Sequence, residues 1–254
     1  MLFFVILFAC VDLLLNGRGD GTIETLIPTF TDYIFYLFAG KTKFVPMPGV
    51  YFDFPALWTL FLALCFYLTL PYPLRELAGI GKNILLRTQS RSGWYLSKCI
   101  WVICCIALVF CMLFGVAALF TLLTGGSFTD TVSARAAQIA AVDGFFTTLD
   151  TPDFGRYLLL PPLMLIALSL WQLTLSLLLR PVVSFLLSVA ELLAAAFYMN
   201  RFIPGNYLMF LRAEPFETGG MNLPEGCLLA LGLALSAVIA GVLLFRRYDI
   251  LPKE

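Results

Sequence analysis

Two short motifs contain the residue types that hydrolytic chemistry needs. The first supplies two aspartates, Asp20 in GRGD at residues 17–20 and Asp249 in YD at residues 248–249. Paired carboxylates cleave a peptide bond only when they lie a few ångströms apart. The apolar segments between them predict that these two aspartates lie on opposite sides of a membrane. We therefore do not expect them to form a catalytic pair.

The second motif, GIGKN at residues 79–83, partly fits a phosphate-binding loop. Such a loop needs a glycine five positions before the second glycine, and Glu76 stands there. It also needs a Ser or Thr after the lysine to bind magnesium, and Asn83 replaces it. We expect no catalytic residue in this chain, no enzyme activity of its own and no bound cofactor.

Metal chemistry is also disfavoured by the residue types present. The chain has no histidine, and its seven cysteines lie in or beside apolar segments rather than in loops. This placement predicts neither a metal site nor a disulfide framework, and it favours cysteines that act as small apolar packing residues. The cysteines are Cys10, Cys65, Cys99, Cys104, Cys105, Cys111 and Cys227.

The elements that position these residues are apolar helices. Of the 254 residues, 61% are hydrophobic and 13% are charged, and the mean hydropathy is +0.93. Continuous runs of up to about 20 apolar residues predict membrane-spanning helices rather than the alternating strands of a barrel. We predict an all-α polytopic membrane protein that forms a single membrane domain, residues 1–254. Its six spans lie at about 1–15, 54–73, 99–124, 157–179, 182–200 and 223–245.

The first run is short and lacks a basic residue before it, which disfavours a signal peptide and favours a true span. Orientation follows from the cations between the runs. Nine lie in short segments on one side, namely Arg75, Lys82, Arg87, Arg91, Lys98, Arg180, Arg246, Arg247 and Lys253. We expect that side to be cytoplasmic, together with both termini. The outer loops, residues 17–52, 125–156 and 201–222, are rich in aromatic and apolar residues that predict short interfacial or re-entrant helices.

Polar side chains inside the predicted spans have two interpretations. Those on the fourth and fifth runs fall on one stripe of each helix: Ser169, Gln172, Ser176, Ser184, Ser188 and Glu191. They either hold neighbouring helices together by hydrogen bonds or line a transport path. In the sixth run, small residues recur every four positions and predict close helix packing. One row is Gly226, Ala230 and Ala234, and the other is Gly232, Ser236 and Ala240.

The most distinctive feature is a polar, basic island at residues 74–98, between the second and third runs. It contains, in order, an acid, a glycine, an apolar turn, a Ser-Arg pair and a lysine at the start of the next helix. These are Glu76, Gly81, Ile84-Leu85-Leu86, Ser90-Arg91 and Lys98. This order resembles the inner loop of permease subunits of ABC transporters of the second exporter type. The six-run layout and the terminal FRRYDIL are also similar to that family.

The resemblance implies an ATP-driven exporter in the bacterial cytoplasmic membrane, with ATP and magnesium bound by a separate ABC ATPase subunit. A second permease copy or a homologous permease would complete the path, and no nucleic acid is expected as a partner. The coupling residues implied are Glu76, Gly81, Lys82, Ile84, Leu85, Leu86, Arg87, Ser90 and Arg91. Two alternatives remain open: a non-transporting membrane anchor or assembly factor, and an intramembrane enzyme.

Overall fold

The computed structural model describes residues 1–17, 27–44, 51–70, 90–140, 154–217 and 219–247. The secondary structure of these ranges is helical, which confirms the predicted all-α class, and one isolated bridge pairs Ala213 with Met221. The α-helices are α1 (Leu2–Asn16), α2 (Phe30–Phe38), α3 (Ala56–Thr69), α4 (Arg91–Thr124), α5 (Ala134–Ala140), α6 (Leu160–Leu178), α7 (Pro181–Phe197) and α8 (Leu223–Arg247). Short 3-10 turns occupy Phe154–Leu159, Pro204–Leu208 and Phe210–Arg212.

Each of the six predicted apolar runs coincides with a helix, but the helices differ in length. Three are long and apolar enough to cross a membrane: α4, α8, and α6 together with the 3-10 turn before it. The others, α1, α3 and α7, have 15, 14 and 17 residues. At 1.5 Å per residue they reach only about 21–26 Å, less than the ~30 Å hydrocarbon layer. The chain is therefore a membrane protein with three full-length candidate spans in the described ranges.

Helix α4 begins at Arg91, earlier than the predicted start near residue 99. The helix includes the polar residues just before the apolar run because its N-cap is Ser90, whose hydroxyl accepts the Gly93 N–H at 3.2 Å. Trp94, Tyr95 and Lys98 are buried against neighbouring helices. Hydropathy marks only the apolar part of a helix, whereas this cap and these contacts fix where α4 starts.

Helix α2 lies within the predicted outer loop at residues 17–52 and is a buried element of the bundle. Thr29 and Asp32 form a reciprocal capping box at its start. Its aromatic side chains Phe35 and Phe38 are fully buried and pack against the ring of Phe210 at centroid distances of 6.2 and 5.8 Å. Helix α5 lies within the predicted outer loop at residues 125–156.

Helix α8 packs along α6, and its two rows of small residues behave differently. In the first row Ala230 is buried, and a Cβ on Gly226 would lie 2.8 Å from Leu160. In the second row nothing in the described chain lies within 4 Å of a Cβ built on Gly232, and Ser236 is exposed. Close packing is thus confirmed for the first row, whereas the second row turns away from the bundle and makes no such contact within the described chain.

The seven cysteines differ in exposure, and Cys105 and Cys227 are half-buried. Cys10, Cys65 and Cys99 are buried, as expected for packing residues, but Cys104 and Cys111 are exposed on α4. The packing role predicted for these last two is therefore wrong within this chain. Helical spacing could not reveal which face of α4 meets other helices, because nearly every face of α4 is apolar.

Candidate functional site

Only two of the nine predicted coupling residues lie within the ranges that the structure describes. Seven lie outside the described ranges: Glu76, Gly81, Lys82, Ile84, Leu85, Leu86 and Arg87. Ser90 and Arg91 lie at the start of α4, where Ser90 is the N-cap. The described end of the island therefore continues directly into the longest helix of the structure.

The first turn of α4 is attached to the end of α8. The Arg91 guanidinium donates from Nη1 to the carbonyl oxygen of Arg246 at 3.0 Å, and the Arg246 Nε donates to the Ser92 hydroxyl at 3.0 Å. The rings of Trp94 and Phe245 stack at a centroid distance of 4.7 Å and an interplanar angle of 14°. Hydrogen bonds and a stacked aromatic pair therefore hold the two helix ends together.

One turn further along, Tyr95 joins three helices. The Tyr95 hydroxyl lies 2.8 Å from Oγ1 of Thr174 on α6. The Thr174 hydroxyl in turn donates to the carbonyl oxygen of Ala237 on α8 at 3.0 Å. Gly241 makes room for the ring, since a Cβ at this position would lie 2.0 Å from the Tyr95 hydroxyl. We call Tyr95, Thr174, Ala237 and Gly241 the three-helix clasp. It extends the attachment of α4 to both α6 and α8.

The serines proposed for a transport path bond to their own helices. Ser176 donates to the Leu173 carbonyl, Ser184 to the Pro181 carbonyl and Ser188 to the Ser184 carbonyl. Hydroxyls bonded in this way have their donors satisfied without a neighbouring helix. These contacts give the three serines a local role in the described conformation.

Gln172 has a different partner. Its Nε2 donates to the carbonyl oxygen of Phe66 on α3 at 2.9 Å, so it joins two helices. Its Oε1 is buried without a hydrogen-bond partner in the described part of the chain, and the same is true of the Ser169 hydroxyl three positions earlier. Gln172 therefore fits the helix-joining interpretation of the stripe.

Glu191 contacts the segment that follows α7. Its Oε1 accepts the Gly205 N–H at 2.7 Å, whereas its Oε2 is buried and has no hydrogen-bond partner among the described residues. Gly205 fits tightly, since a Cβ there would lie 2.6 Å from the Cβ of Ala195. The carboxyl group thus holds a turn of the 203–212 segment against α7.

Arg212 is a central residue that sequence reasoning did not select. Its side chain is fully buried and donates from Nε to the Lys41 carbonyl at 2.8 Å and from Nη2 to the Ala196 carbonyl at 2.7 Å. Nη1 donates to the Ala195 carbonyl and to Oδ1 of Asn206. Burial lowers the pKa of Arg212 to about 10, so its guanidinium stays charged at neutral pH. It caps the carbonyl end of α7, where a cation is favourable.

Asp32 is a second buried ionisable residue that sequence reasoning did not select. Oδ1 accepts the Ser133 N–H at 2.8 Å and Oδ2 accepts the Thr29 N–H at 2.9 Å, which joins α2 to the segment before α5. Burial raises the pKa of Asp32, while these hydrogen bonds act in the opposite direction. In the described ranges no group of three or more Cys, Asp or Glu side chains is arranged to hold a metal ion.

These helices and contacts describe a helical membrane protein whose basic helix ends are joined by polar and aromatic side chains. The chain belongs to the family described as "Protein of unknown function (DUF2705)", whose model matches residues 55–251. That match extends from just before α3 through the whole of α8, and it includes the basic island and the three-helix clasp. No curated protein and no solved structure matches the chain.

Proposed function

We propose that this chain is the membrane-spanning subunit of an ATP-driven exporter, coupled to a separate ATPase subunit through residues 74–98. In this proposal all six apolar helices cross or enter the bacterial cytoplasmic membrane, with both termini in the cytoplasm. The chain performs no catalysis, and its partner binds ATP and magnesium. The order of residues in the island supports this proposal, through its similarity to the permeases of the second exporter type.

The observation that carries the proposal is the attachment of α4. A helix of 34 residues is about 51 Å long, so it is longer than the ~30 Å hydrocarbon layer. Its first turn follows the island directly, and Trp94 and Arg91 fix that turn to the end of α8. A force applied to the island by a bound ATPase would therefore move α4 and α8 together.

The three-helix clasp extends this movement into the bundle. Tyr95 packs against Gly241 so closely that the two helix backbones cannot slide freely past each other. Through Thr174 the same contact reaches α6, which carries Gln172 and Ser176. In the proposal, these residues and Ser184, Ser188 and Glu191 form a path with a second permease copy. Transport would require Gln172 and Glu191 to exchange the partners they have in this conformation.

The test is recovery of an ATPase subunit on an affinity-tagged permease purified from its native cells, with identification by mass spectrometry. Leu85→Asp should abolish recovery, because it forces an unpaired charge into an apolar contact. Arg87→Glu should weaken recovery in a salt-sensitive way, as expected for a charge at the rim of an interface. Arg201→Glu is the matched control, since Arg201 is exposed in the loop between α7 and α8. Unchanged recovery with Leu85→Asp would refute the coupling role.

A second candidate function is a non-transporting anchor or assembly factor. The hydrogen bonds of Gln172, Ser176, Ser184 and Ser188 favour it, because each serine hydroxyl and one N–H of the Gln172 amide already donate within this chain. Purification of the native protein in a stable complex that contains no ATPase subunit would support this candidate. It would also remove the basis for the exporter proposal.

A further inference from the structure

Three exposed arginines mark the end of the bundle where α4 begins and where α6 and α8 end. They are Arg180, Arg246 and Arg247. We call this region the basic end. Apart from its Nε bond to Ser92, the Arg246 side chain makes no hydrogen bond or ion pair within the described ranges, and Arg247 makes none there. Both therefore present unused donors at the surface.

The described carboxylates lie elsewhere in the structure. They belong to α1, α2, α7, the start of α8 and the segments that join helices at the opposite end: Asp12, Asp32, Asp53, Asp130, Glu191, Glu214, Glu217 and Glu225. Adjacent arginines repel each other, and the repulsion is relieved by a bound anion. The charge of the basic end therefore complements an anionic group.

The surface next to Arg247 is apolar and continuous. Side chains at four-residue spacing along α8 are all more than half exposed, with exposed fractions of 56, 62, 59 and 55% for Leu231, Leu235, Ile239 and Leu243. Arg247 is the next residue at the same spacing. From Leu231 to Leu243 the stripe extends about 18 Å, close to half of the ~30 Å hydrocarbon layer. One leaflet of a bilayer would cover such a stripe.

We propose that the basic end binds the phosphate of an anionic phospholipid, with an acyl chain along the stripe from Leu231 to Leu243. A phospholipid combines an anionic headgroup with an apolar chain in the order that α8 presents them. Trp94 is buried and stacks on Phe245, so it holds in place the end of α8 that carries Arg246 and Arg247. Basic residues at the ends of membrane helices bind such headgroups in the leaflet that carries anionic lipid. This inference does not depend on the exporter proposal.

The test uses the purified full chain in detergent, titrated with phosphatidylglycerol, phosphatidylcholine or inorganic phosphate. Binding is measured by native mass spectrometry and by the rise in Tm. Wild type should bind phosphatidylglycerol in preference to phosphatidylcholine and should gain little from inorganic phosphate. Arg247→Gln should weaken phosphatidylglycerol binding about 5-fold, and Arg246→Gln/Arg247→Gln about 25-fold, from about 1 kcal/mol per arginine near an anionic surface. Arg246→Lys/Arg247→Lys should retain most of the binding.

The matched control is Lys43→Gln/Arg201→Gln, which removes two exposed cations from other segments and should leave lipid binding unchanged. Equal binding of the two lipids by wild type would overturn the proposal. So would a Tm rise with inorganic phosphate equal to that with phosphatidylglycerol. If the arginines instead bind an acidic protein partner, Arg247→Gln would lower recovery of that partner and leave phosphatidylglycerol binding unchanged. That result would also overturn the lipid assignment.

Discussion

Arg212 stabilises the 203–212 segment through four acceptors, on four different residues. Replacement by Met gives an apolar side chain of similar length, but it leaves the buried carbonyls of Ala195 and Ala196 and the partly buried carbonyl of Lys41 without this donor. Each unsatisfied buried group costs about 1–3 kcal/mol, so we predict that Arg212→Met lowers the free energy of unfolding by about 3 kcal/mol or more. Thermal unfolding in detergent, followed by circular dichroism, measures the change.

Arg201→Met provides the comparison for this prediction. Arg201 is in the same connecting region, but it is exposed and forms a 3.3 Å ion pair with Glu225. An exposed ion pair contributes at most about 1 kcal/mol. Equal losses of stability in the two variants would show that the buried contacts of Arg212 contribute little.

At the same scale, sequence reasoning identified some important residues and missed others for physical reasons. Gln172 and Glu191 stood out because a polar group in an apolar helix needs a partner. Their partners, the Phe66 carbonyl and the Gly205 N–H, are backbone groups, which any residue type supplies. Arg212 ends the apolar stretch YLMFL, and this was the available signal of its burial. Charge alone does not show how deeply a side chain is buried, so the residue type of Arg212 did not indicate its place in the core.

The contact between α4 and α8 depends on a glycine at one position of α8. In Gly241→Ala the new Cβ would lie 2.0 Å from both Cζ and Oη of Tyr95, a buried ring that cannot move away easily. We predict a loss of about 1–3 kcal/mol in the free energy of unfolding from this overpacking. The same measurement on Gly232→Ala should show no loss, or a gain of up to about 1 kcal/mol, because space is open there and Ala favours the helix.

A second substitution separates packing from helix propensity in this pair. Tyr95→Leu in the Gly241→Ala background should recover part of the lost stability, because the shorter side chain makes room for the methyl group. The two changes should therefore be non-additive. Additive effects would mean that Tyr95 and Gly241 do not press against each other.

The helices themselves were predictable from the sequence to different degrees. Runs of apolar residues predict helices well, since a chain in lipid must satisfy its backbone groups internally. All six runs are helical for this reason. The depth of α2 was less predictable, because its burial depends on contacts with α1, α3, α4 and α5 that are distant in sequence. The early start of α4 depended on Ser90 as a cap, and Ser residues are too common to mark one helix start reliably.

Across the whole bundle, buried connecting segments pack against the ends of the short helices. Helix α7 ends at Phe197, and the turn at Pro204–Leu208 then packs against α6 and α7. Non-helical backbone inside a membrane protein needs internal hydrogen-bond partners. Here Asn206 donates to the carbonyls of Tyr198 and Asn200, and Trp58 donates to the carbonyl of Leu208. The short apolar helices and these segments therefore form one packed unit with the long helices.

The last prediction concerns the orientation of this unit. Ser127 follows the end of α4 and Ser90 precedes its start, and both are exposed. If α4 crosses the membrane with the basic end in the cytoplasm, these two serines lie on opposite sides. We predict that a single cysteine at Ser127, in a cysteine-free background, reacts with a membrane-impermeant maleimide in intact cells. A cysteine at Ser90 should react only after permeabilisation.

Arg180→Cys serves as a second reporter for the cytoplasmic side, because Ser90→Cys also weakens the cap of α4. Arg180 is exposed in the tight turn between α6 and α7, and it should give the same pattern as Ser90. If Ser90→Cys and Arg180→Cys were labelled in intact cells and Ser127→Cys were protected, the orientation would be the opposite of the predicted one. An inverted basic end could not meet a cytoplasmic ATPase, so that result would also remove the coupling proposal. The phospholipid site would then face the outer leaflet, and its binding to phosphatidylglycerol in detergent would be unaffected.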